Sequence, residues 1–252
     1  MSGHNKWSTI KHKKGAADAK RSKVFTKVIK EISVAARLGG GDPDANPRLR
    51  SAIALAKASN MPNDNVKKAI QKGVGGDKGE DWQTIVYEGY GPHNVAVIVE
   101  CLTDNKNRTI SSIRFIFNKN NGNLGASNSV MYMFDRVGLI EVDKSEADEE
   151  TLTDYIIEAG ADDIDSEDEE IFTITTAPGD LHAVHDFLED KKLTVKTSSV
   201  DLLPQNRIEI DSLEDAQQVI RFIDALEDDD DVQKVYSNFD ISDSVMAELE
   251  QE

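Results

Sequence analysis

The sequence predicts an α+β protein of three domains: an N-terminal all-α helical domain, then two α/β, ferredoxin-like domains, one inserted in the other. Three observations carry this expectation. Apolar residues recur at helical spacing through residues 1–76. Residues 136–204 read strand, helix, two strands, helix, strand. The segment after Pro204 supplies a helix and a strand that residues 80–135 lack. The predicted division is therefore 1–76, then 80–135 with 205–240 around 136–204, and an acidic tail or fraying helix at 241–252. At 252 residues, with 38% hydrophobic and 30% charged residues, several small domains fit better than one thick core.

Charge divides along the same boundary. Residues 1–76 hold 16 Lys and Arg against Asp18, Glu31, Asp42, Asp44 and Asp64, whereas the whole chain has a formal net charge of -18. A basic block in an acidic protein points to a polyanionic partner, with the acidic remainder orienting the molecule and offering a face to a protein partner. The same asymmetry also lets the two halves attract each other.

The basic block begins with the arm "SGHNKWSTIKHKK" and continues as helix from about Ala16 to Leu38. Val24, Phe25, Val28, Ile29, Ile32, Ala35 and Ala36 make one apolar face of that helix. Lys20, Lys23, Lys27 and Lys30 fall within an ~80° arc opposite Phe25, which predicts a water-facing lysine stripe. Gly39–Gly41 ends the helix. Asn46 and Pro47 cap and start a second helix running to about Ser59, and a third spans about Asn63 to Lys72 with Lys67 and Lys68 outward. The pair joined by "SNMP" has the spacing of a helix-turn-helix, a pattern any helical hairpin shares. Gly73–Gly79 reads as a flexible linker.

Strands are expected at Thr84–Tyr90 and Asn94–Thr103 around a "GPH" turn, the second central because it is apolar on both faces. A helix follows through Ile110, Ile113 and Phe117, then a strand at Ser129–Phe134. In the inserted unit the strands are Gly138–Asp143, Asp162–Asp165, Glu170–Thr176 and Leu193–Pro204, with helices at 149–161 and 179–192. The chain then gives a helix at Ser212–Asp228 and a strand at Val232–Asp240.

Catalytic patterns are missing, and the chain is expected to be neither an enzyme nor a holder of a metal or cofactor. His182 and His185 lack the spacing and the Glu of a zinc-protease helix. His4 and His12 have no cysteine near enough for a zinc finger, and His93 stands alone in a turn. Cys101, the single cysteine, falls in the central strand as an inert thiol and suits a reducing compartment. The acidic run Glu227–Asp231 lacks the spacing of a calcium loop and reads as the end of a helix. No apolar stretch approaches the ~20 residues of a membrane span, and the start has no secretory h-region. A cytoplasmic protein without a membrane partner is expected.

Binding chemistry is present. Lys6, Lys11, Lys13, Lys14, Lys20, Arg21, Lys23, Lys27, Lys30, Lys67 and Lys68 can meet phosphates, with His12 among them. Trp7 can stack on an exposed base or anchor the arm on the helical domain. Arg21 is the one Arg in the first 36 residues, so the pattern suits backbone contact more than base reading.

"GHNKWSTIKHKKGAADAKRSKVFTK", "NPRLRSAIALAKASNMPNDNVKKAI", "YEGYGP", "SVMYMF" and "LEDDDDVQKVYSN" together resemble the YebC/PmpR family over nearly the full length. The family includes probable bacterial transcriptional regulators and the mitochondrial translational activator of cytochrome oxidase subunit one. The resemblance implies the same three-domain arrangement and nucleic-acid contact through the basic arm and first helix. The implied function is DNA-binding transcription regulation; the alternative is a ribosome-associated translation factor that relieves stalling at proline-rich stretches, with rRNA as partner.

Overall fold

The computed structural model describes residues 17–75, 82–166, 168 and 170–251, with side chains from Ser22 to Leu249 within those ranges. Helices α1 (Ala17–Gly39), α2 (Pro47–Ala58) and α3 (Asn63–Val74) form the N-terminal part. Val28, Ile32, Ala35 and Ala36 of α1 meet Leu49, Ala52 and Ala56 of α2 and Val66 and Ala69 of α3 in one cluster. Both α2 and α3 pack chiefly on α1, so α1 is the hub. Gly40, at φ 87, turns the chain out of α1, a conformation that suits glycine. Asn46 then serves two helices. Its side-chain oxygen accepts from the Leu49 N–H at the start of α2. Its amide donates to the Ala35 and Gly40 carbonyls at the end of α1.

The central sheet contains β1 (Gln83–Tyr90) and β2 (Ala96–Thr103), followed by α4 (Lys106–Lys119) and β3 (Asn123–Leu124). The chain continues with β4 (Phe134–Asp143), α5 (Glu149–Ala159), β5 (Asp163–Asp165), β6 (Ile171–Thr176), α6 (Leu181–Asp190) and β7 (Val195–Pro204). The chain closes with β8 (Ile208–Ile210), α7 (Leu213–Glu227), β9 (Val232–Ser237), β10 (Phe239–Ile241) and α8 (Asp243–Gln251).

The first sheet has the order β3-β1-β2-β9, so β9 returns from the C-terminal end to lie beside β2. That position explains the apolar run in β2: Val97, Val99 and Cys101 face the core under α4 and α7, while Ala96 and Ile98 face Val130 and Phe134. The second sheet has the order β5-β6-β4-β7, all neighbours antiparallel. Ile140, Val142, Phe172 and Ile174 of that sheet meet Leu152 and Ile156 of α5 and Val184 and Leu188 of α6.

Several sequence expectations change. Ser129–Phe134 is not a strand: Met131–Met133 is a 3-10 turn and Phe134 already opens β4. The buried Glu88 carboxylate accepts N–H bonds from Asn128, Val130 and Met131, which folds this segment around it. The strand expected at Val232–Asp240 breaks at Asn238, whose side-chain oxygen takes the Ala96 N–H. Beyond that break, β10 leaves the sheet and pairs in parallel with β8, a strand the sequence pattern does not disclose. The stretch 241–252, expected as an acidic tail or fraying helix, is largely helix α8, which buries Val245, Met246 and Leu249 against the first core. Of the expected linker, Gly73 and Val74 belong to α3, and residues 76–79 lie outside the described residues. Among the described residues, no helix is long and apolar enough to cross a membrane.

Candidate nucleic-acid interface

Of the sequence-predicted contacts, Lys6, Trp7, Lys11, His12, Lys13 and Lys14 lie outside the described residues, and Lys20 and Arg21 contribute described backbone alone. The structure places Lys23, Lys27 and Lys30 along α1 and Lys67 and Lys68 on the exposed face of α3. The amphipathic α3 buries Val66, Ala69 and Gly73, which turns Lys67 and Lys68 to water. Neither forms an ion pair with a described residue.

The α1 lysines differ from expectation. They do not form an open stripe, because the turn after α7 packs against them. Lys23 pairs with Asp228 at 2.8 Å, both side chains well exposed. The Lys27 ammonium donates to the Glu227 carbonyl at 2.5 Å. Burial lowers its pKa despite the neighbouring Glu227, Asp229 and Asp228. Lys30, with its side chain 13% exposed, pairs with Asp231 at 3.0 Å and sits 4.5 Å from the Trp82 ring centre. The physical reason is charge attraction between the two halves of the chain: the α7–β9 turn, at the C-terminal end of a helix, presents carboxylates and carbonyl oxygens to the α1 lysines.

Asp231 is the centre of this contact. Its side chain, 8% exposed, accepts from Lys30, from the Arg108 guanidinium at 2.9 Å and from the Thr109 hydroxyl at 2.8 Å. Thr103 adds a hydroxyl at 3.2 Å. Burial pushes the carboxyl pKa up, but the hydrogen bonds from Arg108, Thr109 and Lys30 together outweigh it and hold it below the ordinary aspartate value. Asp229 accepts from the Ser112 hydroxyl. The acidic run thus spends Asp228, Asp229 and Asp231 on cationic and hydroxyl partners. A shallow depression of about 400 Å³, lined by Arg108, Ser112, Asp229, Asp230 and Asp231, opens beside them.

Other candidate groups take structural partners. Cys101 is fully buried and its thiol is pushed up to about 12, first by burial and then by Asp229 and Asp231. His185 lies 3.5 Å from Glu189 one turn away, and His93 lies 3.6 Å from Asp215. Between the two sheets, Asp201 of β7 accepts from Lys234 and, at 2.9 Å, from the Tyr236 hydroxyl of β9. Burial raises the pKa of neighbouring Glu100. These contacts lock β9 to β7. Arg108, Thr103 and Thr109 escaped the sequence reading because their meeting with Asp231 spans more than 100 residues; the absence of any acid in α4 was the available signal.

Residues 5–76 match the model for the TACO1/YebC protein N-terminal domain, and residues 82–239 match that for the TACO1/YebC second and third domain. A probable transcriptional regulatory protein of Desulforapulum autotrophicum is 56% identical over 245 residues, covering 97% of this chain and 98% of the relative. A protein of the same description from Geobacter sulfurreducens is 51% identical over 249 residues, covering 99% of this chain and all of its own. The crystal structure of a conserved hypothetical protein from Aquifex aeolicus superposes with a TM-score of 0.83 at 47% identity, covering 93% of this chain and 96% of that one.

Proposed function

Because the chain belongs to the TACO1/YebC family, we propose that it is a non-enzymatic, nucleic-acid-binding regulator of gene expression that meets DNA through its basic N-terminal domain. The observation that carries this reading is the segregation of charge: 16 Lys and Arg in residues 1–76 of a chain whose net charge is -18. Separate hydrophobic clusters under the helices and under each of the two larger sheets support a three-domain reading, with 136–204 as an inserted, ferredoxin-like unit.

Within that domain the contacts divide into two groups. Lys67 and Lys68, with Lys6, Lys11, Lys13 and Lys14 of the arm, are the cations we assign to phosphate. Lys23, Lys27 and Lys30 hold the α7–β9 turn, so a phosphate reaches them only in competition with Asp228, the Glu227 carbonyl and Asp231. The test is charge reversal in the full chain. Replacing Lys13, Lys14, Lys67 and Lys68 with Glu should abolish binding to a labelled DNA duplex in fluorescence anisotropy at physiological salt. Binding that survives with unchanged affinity rules this surface out.

The second reading, a ribosome-associated translation factor, is favoured by the lysine-led composition of the arm and α1, where Arg21 is the one Arg before Arg37. Sedimentation of native lysate separates the two. Co-migration with ribosomes that survives DNase supports translation, and a DNase-sensitive position supports DNA.

A further inference from the structure

Helix α4 carries Lys106, Arg108, Arg114 and Lys119 and no acid in its 14 residues, inside the acidic part of the chain. Its inner face buries Thr109, Ile113 and Phe117. Phe115 points the other way and is 64% exposed. At 100° per residue, Arg108, Ser111, Phe115, Asn118 and Lys119 share the outer face, and Arg114 borders it. The Lys119 ammonium lies 5.8 Å from the centre of the Phe115 ring. Arg108 is committed to Asp104 and Asp231. Lys106, Arg114 and Lys119 are exposed and have no acidic partner among the described residues.

We infer that the outer face of α4 is a contact for single-stranded nucleic acid, with Phe115 stacking on an unpaired base and Arg114 and Lys119 taking the flanking phosphates. This rests on the nucleic-acid reading above and adds a second site to it. Charge complementarity selects a polyanion, because Arg114 and Lys119, both exposed and without an acidic partner among the described residues, lie on a helix that has no acid within the acidic part of the chain. The exposed ring selects a polyanion with accessible base faces, since a duplex hides its bases in the stack while a single strand offers them. Continuity adds to this: Asp231 bonds both Lys30 of α1 and Arg108 at the start of α4, so the two basic helices meet at one carboxylate. A strand held by the basic domain can run on along α4.

The experiment measures anisotropy of a fluorescein-labelled dT20 strand and of a 20-base-pair duplex with the full chain. Phe115→Ala should weaken dT20 binding roughly tenfold, the scale of one lost base–aromatic stack, while duplex binding changes less than about twofold. Its Tm should match the wild type, since the ring packs in no core. Phe115→Trp should bind dT20 at least as tightly as the wild type. Arg114→Glu with Lys119→Glu should reduce the steepness of log K against log salt on dT20 by about 1.4. Unchanged dT20 affinity in Phe115→Ala, or equal loss on both nucleic acids, overturns the α4 site and leaves the basic-domain reading standing. A wild-type chain that binds neither nucleic acid removes both.

Discussion

Removing the Asp231 carboxylate leaves the largely buried Lys30 without its acid, and Thr103 and Thr109 lose their acceptor, while the half-exposed Arg108 keeps Asp104. Breaking a buried pair by deleting one partner costs about 3–5 kcal/mol, so Asp231→Ala should lower stability by that order in urea denaturation. The pH dependence has a definite sign. A carboxyl held below its ordinary value in the folded state contributes stability that is complete above about pH 4 and is lost as pH falls through the lower folded value. The wild-type Tm should therefore fall more steeply below about pH 4 than that of Asp231→Asn, and parallel curves would remove Asp231 from the account. Cys101 gives a second residue-level expectation. With no exposed surface and a thiol pushed up to about 12, it should resist iodoacetamide in the native protein and react after denaturation.

At the scale of the helices, Gly73 decides how closely α3 approaches α1. A Cβ there would meet the Ser33 carbonyl at 2.4 Å and the Ala36 side chain at 2.8 Å. Helix propensity alone favours Ala over Gly by about 1 kcal/mol. Overpacking against a backbone carbonyl costs about 1–3 kcal/mol. Gly73→Ala should therefore destabilise the protein in thermal melts, the reverse of what propensity indicates. The case shows what sequence pattern carries and what it leaves out. The 3.6-residue period placed α1, α2 and α3, and Asn46 before Pro47 marked where α2 begins, because those signals are local. The apolar run from Val95 to Val99 marked a central strand for the same reason. Gly73 read as linker because glycine also punctuates, and its packing role depends on a helix 40 residues away. The Glu88 clamp on Asn128, Val130 and Met131 was hidden likewise, since a backbone donor has no sequence signature. The acids of 241–252 leave a tail or a fraying helix equally open, because the burial of Val245, Met246 and Leu249 against the first core depends on distant residues.

For the whole molecule, the segregated charge acts twice. It draws the α7–β9 turn onto α1, which takes up Lys23, Lys27 and Lys30 in internal contacts. It also leaves Lys67 and Lys68 exposed on α3, the described part of the surface assigned to phosphate. The sequence disclosed the cations of α1 but not their partners, because charge counts say that two halves attract without saying which residues meet. The measurement that bears most directly on the assignment is the salt dependence of DNA binding by the full chain between about 50 and 200 mM, the range over which phosphate contacts reveal themselves. Neutralising about five to eight phosphates predicts a fall of log K with log salt at a slope of roughly -5 to -7. A slope near zero, or no binding at the lowest salt, would contradict a basic domain built to hold nucleic acid.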